Sequence, residues 1–302
     1  MPTIAVIINH ASGTASGIDV HAIADMLRSN GFDPRVTLEP DGAAIANAAA
    51  RARDEGVDVV VAGGGDGTVN CVVGKILGSG IVLGVLPLGT LNHFAKDLRI
   101  PLELEGALRV IAEGHRAPID VAEVNGKPFV NNSSLGLYPE IVKDRDVGQR
   151  KLGYSKWVAF FRACVRAARR YPFLDVELDL DGRRYERRTP FVFVGNNEYT
   201  IEGLRVGERR TLSAGTLSLY VAQRTGRIGL LGFALRALFG RLRQAKDFDA
   251  VLSGRIVVKT RHRKQRVSTD GEVSELDAPF EYRIRPGAIE VLVPRLADAE
   301  RK

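Results

Sequence analysis

The first 120 residues alternate short apolar runs with segments of helical pattern, and this alternation is what most restricts the fold. Apolar runs of strand length occupy residues 3–8, 57–62 and 81–87, and residues 34–38 form a further candidate strand. Helical patterns stand between and after these runs, at residues 20–30, 42–55, 69–77 and 104–113. Strands and helices that alternate through short connections predict an α/β doubly wound, mostly parallel sheet with helices on both faces. Ligands of such sheets bind beyond the carboxyl ends of the strands.

The pattern changes after about residue 121. The segments that are typical of strands there are residues 129–132, 175–180, 189–195, 217–222, 255–260, 280–285 and 289–293. Asp181-Gly182 stands between two of these signals as a hairpin turn. Helical patterns at residues 155–171 and 228–247 interrupt the strands. We therefore predict a C-terminal, antiparallel, β-rich domain with helices.

We place the domain boundary near residue 125. The first domain is then residues 1–125 and the second is residues 126–285, with residues 286–302 expected to pack back on the first. A chain of 302 residues is long enough for two domains of ordinary size.

Charge and cysteine content narrow the class of protein. The formal net charge is +7, which favours an anionic partner such as a nucleotide or an acidic lipid surface. Aromatic residues make up only 7% and do not alternate with basic ones as in RNA-binding strands, so we expect no nucleic-acid partner. Cys71 and Cys164 lie far apart, which is typical of neither a disulfide framework nor a zinc site.

The N-terminal residues and the lengths of the apolar runs indicate where in the cell the protein is found. Residues 1–13 have neither a basic leader nor a small-residue cleavage site, and no uncharged apolar run reaches the ~18 residues of a membrane span. We therefore expect a cytoplasmic protein.

The stretch GGGDGTVN, residues 63–70, follows a strongly β-branched run and precedes a helical pattern. Glycines at such a point let a ligand approach the backbone, and the start of the helix offers unpaired N–H groups that favour phosphate. The loop matches neither GxxxxGK[ST] nor GxGxxG. Asp66 would repel a bare phosphate, so it indicates either Mg²⁺ or the organisation of a second group. The alternative is a tight turn in which Asp66 caps the helix.

Two more strand ends carry small, hydroxyl or amide residues. PLGTLNHFA, residues 87–95, follows the run at 81–87, and HASGT, residues 10–14, follows the first run. Far along the chain, STDGEVSE places Asp270 and Glu272 on either side of Gly271. That segment alone is equally typical of a turn with a solvated pair of charges.

Together, GGGDGTVN, PLGTLNHFA, NNSSLGLYPEIV (residues 131–142) and TDGEV resemble the motifs of the diacylglycerol kinase catalytic domain family. This family includes sphingosine and ceramide kinases and bacterial lipid kinases. The resemblance covers nearly the whole chain. It implies a nucleotide-binding first domain, a lipid-substrate second domain, ATP in the cleft between them, and Mg²⁺-dependent transfer of the γ-phosphate to a lipid hydroxyl.

The resemblance also implies roles for single residues. The nucleotide-binding positions are Asn9, Ser12, Thr14, Thr37, Gly63, Gly64, Gly65, Asp66, Gly67, Thr68, Val69, Asn70, Gly89, Thr90 and Asn92. The catalytic positions are Glu272, Asp270 and Asp66, and either Glu272 or Asp270 is the base. Asp66, Asp120 and Asp270 are the implied ligands of the catalytic Mg²⁺.

The chain departs from the family pattern in three places. His10 occupies a position at which the family usually has proline, and His93 occupies the position of the aspartate in the family's usual NDFA. Residues 213–217, where related bacterial lipid kinases hold a structural Mg²⁺, contain no carboxylate, so we predict that this metal is absent.

An enzyme that acts on a membrane lipid must bind at the membrane surface. Residues 157–171 combine Trp157 and Phe161 with a basic face of Arg162, Arg166, Arg169 and Arg170, as interfacial helices do. This pattern, and the more apolar one at 228–247, equally fits helices packed on the β-rich domain. We expect peripheral association with the inner face of the membrane. A homodimer, a soluble-metabolite kinase of NAD kinase-like type and a non-catalytic lipid- or nucleotide-binding regulator all stay open.

Overall fold

A computed structural model describes residues 1–13, 15–136, 173–202, 205–222 and 248–295 of the chain. The chain divides into two compact units. The first unit is Met1–Val121, Thr211–Ser213 and Arg285–Lys302, and the second is Ala122–Arg210 and Ala214–Ile284. The predicted domain limits of 1–125, 126–285 and 286–302 stay predictions, because compactness alone does not test independent folding.

The first unit alternates strands with helices. In chain order its elements are β1 (Thr3–Asn9), a 3-10 turn (Ala15–Gly17), α1 (Val20–Ser29), β2 (Asp33–Glu39), α2 (Gly42–Asp54), β3 (Val59–Gly64), α3 (Asp66–Ile76), β4 (Val82–Pro87), α4 (His93–Asp97), α5 (Leu104–Glu113) and the start of β5 (Arg116–Val124).

The sheet of this unit has the strand order β2-β1-β3-β4, and each neighbouring pair is parallel. All six residues of both β3 and β4 are buried, as the continuous apolar runs predicted for a sheet covered on both faces. Helices α1 and α5 turn an apolar stripe inward, with Ile23, Leu27 and Ile111 almost fully buried. The predicted α/β, mostly parallel N-terminal fold is confirmed.

The second unit is built almost wholly of strands in its described part. After the end of β5 these are β6 (Lys127–Phe129), β7 (Asn132–Gly136), β8 (Leu174–Leu180), β9 (Arg183–Thr189), β10 (Phe191–Asn196), β11 (Tyr199–Glu202), β12 (Arg205–Arg209), β13 (Leu217–Ala222), β14 (Phe248–Ser253), β15 (Arg255–Thr260), β16 (Lys264–Thr269), β17 (Glu272–Asp277) and β18 (Phe280–Leu292). The chain leaves the unit within β18, between Ile284 and Arg285.

One sheet of this unit has the order β14-β13-β10-β7-β16-β17, with every neighbouring pair antiparallel. Strand β15 pairs antiparallel with β8 and with the first half of β18. Apolar side chains from both sets of strands form one core, which includes Leu135, Val194, Val258, Phe280 and Tyr282. The predicted antiparallel, β-rich C-terminal fold is confirmed.

Several element limits differ from the sequence expectation for local reasons. Pro190 lacks an N–H, and the run predicted at 189–195 divides there into β9 and β10. The runs predicted at 280–285 and 289–293 belong to one strand, β18. The predicted helices at 155–171 and 228–247, including the basic face of the first, lie outside the described residues.

Candidate functional site

The glycine loop forms the junction between β3 and α3. Gly65 is the N-cap of α3, and no side chain caps the helix there. A Cβ built on Gly64 would lie 2.3 Å from Thr68 Oγ1, so the loop has no room for a side chain at this position. Bare backbone therefore leads directly into the start of an eleven-residue helix. This arrangement presents N–H groups and the positive end of the helix dipole to an anion.

A second loop, residues 87–92, lies directly against the first. A Cβ built on Gly89 would stand 2.4 Å from the Cα of Gly65. Asn92 holds this loop in shape: its Nδ2 donates to the carbonyls of Pro87 and Gly89 at 3.0 and 2.9 Å, and its Oδ1 accepts from Gly89 N at 3.0 Å. Asn92 has a φ of 50°, a left-handed conformation that asparagine tolerates better than most residues.

Asp66 connects the two loops through its carboxylate. Its Oδ1 accepts a hydrogen bond from Phe94 N at 2.9 Å, and its Oδ2 accepts from His93 N at 3.2 Å. The carboxylate therefore caps α4, and the backbone of Gly65, rather than Asp66, caps α3. The exposed side chain of His93 stands at the beginning of α4.

The loop after β1 completes this side of the sheet. Asn9 Nδ2 donates to Thr68 Oγ1 at 3.2 Å, and Asn9 Oδ1 accepts from Ala11 N at 3.0 Å. A Cβ built on Gly13 would lie 3.8 Å from Thr90 Oγ1. Three loops that are distant in sequence thus meet at the carboxyl ends of β1, β3 and β4. Ser12 is half-buried in the first of them, and Thr14 lies outside the described residues.

The other implied nucleotide-binding positions differ in their burial and in their contacts. Gly63 packs on Ile8, where an added Cβ would lie 2.9 Å from Ile8 Cγ1, and Val69 is a core residue of α3. Thr37 Oγ1 and Asn70 Oδ1 are buried atoms without a hydrogen-bond partner in the described part of the chain. Gly67 has open space around its Cα.

A separate polar cluster lies in the second unit, around the turn between β16 and β17. Asp270 and Gly271 form this turn with φ values of 49° and 87°, and Thr269 pairs with Glu272 across it. Two successive left-handed residues are what a two-residue hairpin of type I′ requires. Asp-Gly supplies them with little strain.

The Asp270 carboxylate is fully engaged with backbone. Oδ2 accepts from Val130 N at 2.8 Å, and Oδ1 accepts from Asn131 N and Asn132 N, both at 2.9 Å. Asp270 N donates in turn to the Asn132 carbonyl at 2.9 Å. Burial raises the pKa of Asp270 to about 6, although the three N–H donors and the positive charge of Arg209 oppose that rise.

Arg209 is a buried cation on the other side of the same segment. Its Nη1 donates to the carbonyls of Val130 and Asn196 at 2.7 and 3.1 Å, and its Nη2 donates to Asn131 Oδ1 at 2.7 Å. The guanidinium also lies over the ring of Tyr199, 5.3 Å from its centroid. Sequence reasoning missed Arg209, because a single arginine in a charged stretch carries no periodic or motif signal.

Glu272, the other candidate base, begins β17 and is exposed. The structure therefore separates the two carboxylates of TDGEV by environment. The half-buried carboxylate of Asp270 lies under backbone donors, whereas the side chain of Glu272 is exposed to solvent.

The implied metal ligands are divided between the two units, with Asp66 and Asp120 in the first and Asp270 in the second. Asp120 is 1% exposed, and its Oδ1 accepts from Gly287 N at 2.9 Å. Asp66 and Asp270 are bonded to backbone N–H groups, as above. No group of three or more His, Cys, Asp or Glu side chains among the described residues is placed to hold a metal ion. At residues 213–217, Ala214 N donates to Asn197 Oδ1 at 3.0 Å; the absence of a structural metal there stays a prediction.

Comparison with known proteins agrees with this architecture. Residues 3–124 match the model of the diacylglycerol kinase catalytic domain, and residues 144–293 match that of the YegS C-terminal NAD kinase beta sandwich-like domain. Diacylglycerol kinases of Staphylococcus aureus strains JH9 and Newman are each 32% identical over 152 residues, which is 49% of this chain and 47% of each relative. The match thus spans about half the length of these relatives.

Solved structures show the same fold. A diacylglycerol kinase structure from Bacillus anthracis str. Sterne superposes with a TM-score of 0.73 at 24% identity and covers 98% of both chains. A second structure from that organism gives a TM-score of 0.75 at 24% identity, over 97% of this chain and 95% of the other. In the part of the chain that the structure describes, every helix is too short or too polar to cross a bilayer.

The two matched models follow each other along the chain, in the order of its α/β and β-rich parts, and leave few residues between them. The chain therefore belongs to the family of proteins that join a diacylglycerol kinase catalytic domain to a YegS-type C-terminal domain.

Proposed function

We propose that this protein is a lipid kinase, which transfers the γ-phosphate of ATP to the hydroxyl of a membrane lipid such as diacylglycerol or a sphingoid lipid. The observation that carries the proposal is the meeting of three bare or hydroxyl-bearing loops at the start of α3, in a chain of this family. The names of its relatives support the acceptor class.

The phosphates of ATP bind, in this proposal, at the start of α3. The tight approach of Gly89 to Gly65 and of Gly64 to Thr68 leaves backbone N–H groups as the donors, and Thr90 and Thr68 add hydroxyls. These groups fit a polyphosphate because several donors converge on one anion without a side chain in the way. Asn9 and Asp66 hold the loops together rather than contact the phosphates first.

Glu272 acts as the base and Asp270 does not. A lipid alcohol attacks the γ-phosphorus only as its proton is lost, and an exposed carboxylate can accept that proton at its oxygen. Both oxygens of Asp270 accept backbone N–H groups, so a substrate hydroxyl would have to displace them. The transferred phosphoryl group then bonds to the lipid oxygen, and ADP leaves.

Mg²⁺ would accompany the nucleotide in this proposal. Asp66, at the start of α3, would supply a carboxylate to hold it beside the phosphates. When bound, it neutralises phosphate charge. The loops position the phosphates, and Glu272 handles the proton.

The lipid acceptor and a place at the inner face of the membrane belong to the same proposal. A net charge of +7 favours approach to an anionic surface. The product would be a phosphorylated lipid, which places the protein in phospholipid metabolism.

The test is transfer of labelled γ-phosphate, with Mg²⁺, to a bacterial total-lipid extract in mixed micelles, beside a soluble-metabolite fraction. Glu272→Gln should lower transfer by about 10²- to 10⁴-fold. Glu275→Gln is the matched control, because Glu275 lies on the same strand and forms an exposed ion pair with Lys264. Label in the soluble fraction alone would instead establish a metabolite kinase, and ATP binding without transfer to either fraction would indicate a regulator.

A further inference from the structure

Segment 130–132 is held from its two polar sides by two charged side chains, the half-buried Asp270 and the buried Arg209. On the amide side, Asp270 accepts the N–H groups of all three residues at 2.8 to 2.9 Å. On the carbonyl side, Arg209 donates to Val130 O and to Asn131 Oδ1 at 2.7 Å. Asn196 adds bonds from its Nδ2 to Val130 O and from its N to Asn131 O, at 3.0 and 2.9 Å.

We infer that Arg209 is a positioning residue for Glu272. The hairpin that carries Glu272 is fastened to segment 130–132 by its own Asp270, and Arg209 fixes that segment in place. The inference rests on the proposed function, since it concerns the placement of the proposed base.

Few residues lie between Arg209 and Glu272 in this chain of contacts, and hydrogen bonds hold each of the connecting segments. Asp270 N also bonds to the Asn132 carbonyl, so the start of the turn is held by both main chain and side chain. The next residue but one is Glu272, which pairs with Thr269 across the turn. A shift of the segment would therefore move the base directly. A misplacement of about 1 Å can cost a positioned catalytic group on the order of a hundredfold in rate.

The charge of Arg209 contributes as well as its hydrogen bonds. Asp270 is half-buried, and Arg209 is the cation that lowers its pKa. Without the guanidinium, the segment would lose two hydrogen bonds, the Asn196 carbonyl would lose a third, and the Asp270 carboxylate would lose a stabilising charge. Both losses loosen the same hairpin.

The experiment compares Arg209→Met and Arg209→Lys with the control Arg210→Met in the lipid-transfer assay. Arg210 is the next residue along and is exposed. Arg209→Met should lower kcat by about ten- to a hundredfold and leave KM for ATP within about twofold. Arg209→Lys, which keeps the charge but not the fork of donors, should fall between Arg209→Met and wild type. Arg210→Met should behave as wild type.

A second measurement separates positioning from general damage to the fold. Arg209→Met is also placed in a Glu272→Asp background, whose shortened carboxylate has already lost its placement. The effect on kcat should then shrink to about threefold or less, because coupled residues are not additive. Equal effects in both backgrounds, or a rise in KM for ATP equal to the loss of kcat/KM, would overturn the inference. An unchanged Arg209→Met beside an active wild type would also overturn it, whereas an inactive wild type would overturn the proposed function itself.

Discussion

The backbone of Gly65 packs directly against Gly89, so that a Cβ on Gly89 would stand only 2.4 Å from the Cα of Gly65. The two glycines come from loops more than twenty residues apart in sequence. Their approach closes the β3–α3 junction against the loop after β4, and it depends on the absence of side chains at both places.

Gly89→Ala should therefore separate the two loops. The added methyl group has backbone as its neighbour, which cannot turn away, so we expect a destabilisation of about 1–3 kcal/mol and a loss of ATP binding. Urea unfolding and a nucleotide titration measure the two effects. Gly42→Ala is the control, because that position has nothing within 4 Å and begins a helix. Normal ATP binding by Gly89→Ala would contradict the placement of the site.

Asp66→Asn should cost more stability than the same change at Asp41. Asp66 uses both carboxylate oxygens, for His93 N and Phe94 N, whereas Asp41 caps α2 with one oxygen, which accepts Ala44 N at 2.8 Å. An asparagine can replace one acceptor but presents an NH₂ group in place of the other. We expect a loss of about 1–3 kcal/mol at Asp66 and about 0.5 kcal/mol or less at Asp41, by urea unfolding. Equal small losses at both sites would show that the loop-to-loop bonds of Asp66 contribute little.

The pKa of Asp270 predicts a pH dependence of stability with a defined sign. Its folded-state pKa is raised from 3.8 to about 6, so the folded protein binds this proton more tightly than the unfolded chain. The stability that the proton contributes is complete below pH 3.8 and is lost as the pH rises through about 6, a change on the order of 3 kcal/mol.

The measurement is the difference in unfolding free energy between wild type and Asp270→Asn at several pH values. Asparagine does not titrate, so the difference isolates Asp270. The unfolding free energy of wild type should fall relative to that of Asp270→Asn between about pH 4 and about pH 6.5. A difference that is flat, or that grows with pH, would mean that the backbone donors outweigh burial.

Chelation should separate catalysis from stability. EDTA should abolish phosphate transfer, because the phosphates of ATP need Mg²⁺. It should leave the Tm of the nucleotide-free protein unchanged within about 1 °C, because residues 213–217 carry no carboxylate for a structural metal. Differential scanning calorimetry with and without EDTA checks this. A clear fall in Tm on chelation would reveal a structural metal that the sequence does not suggest.

The sequence predicted those parts of the fold in which apolar burial and chain direction act together. Strands β3 and β4 are buried throughout, so their residues form continuous apolar runs that are visible in the sequence. Strand β9 is different: Arg183 to Arg188 are mostly exposed on both faces, and no apolar alternation marks them. It is a strand because it pairs with β8, and such pairing of polar residues leaves no local apolar pattern.

For the candidate site, the sequence predicted the position of the loops, whereas the roles of their residues stay predictions. The loops around Gly65 and Gly89 follow apolar strands, and the small residues themselves were the signal. The separate environments of Asp270 and Glu272 could not be foreseen, because the donors to Asp270 come from Val130 to Asn132, more than 130 residues earlier. The role of Arg209 could not be predicted either, because its hydrogen-bond partners Val130 and Asn131 are also distant in sequence.

Asn92 has one further consequence. All three of its side-chain hydrogen bonds are to residues 87–89. The loop therefore keeps its shape through bonds within itself and does not depend on a bound ligand. A loop that is already ordered loses little conformational entropy when an anion arrives, and most of the free energy of the contact remains available for affinity. Nucleotide binding to this side of the protein should therefore be fast and limited by encounter, with no slow rearrangement of the loop to precede it.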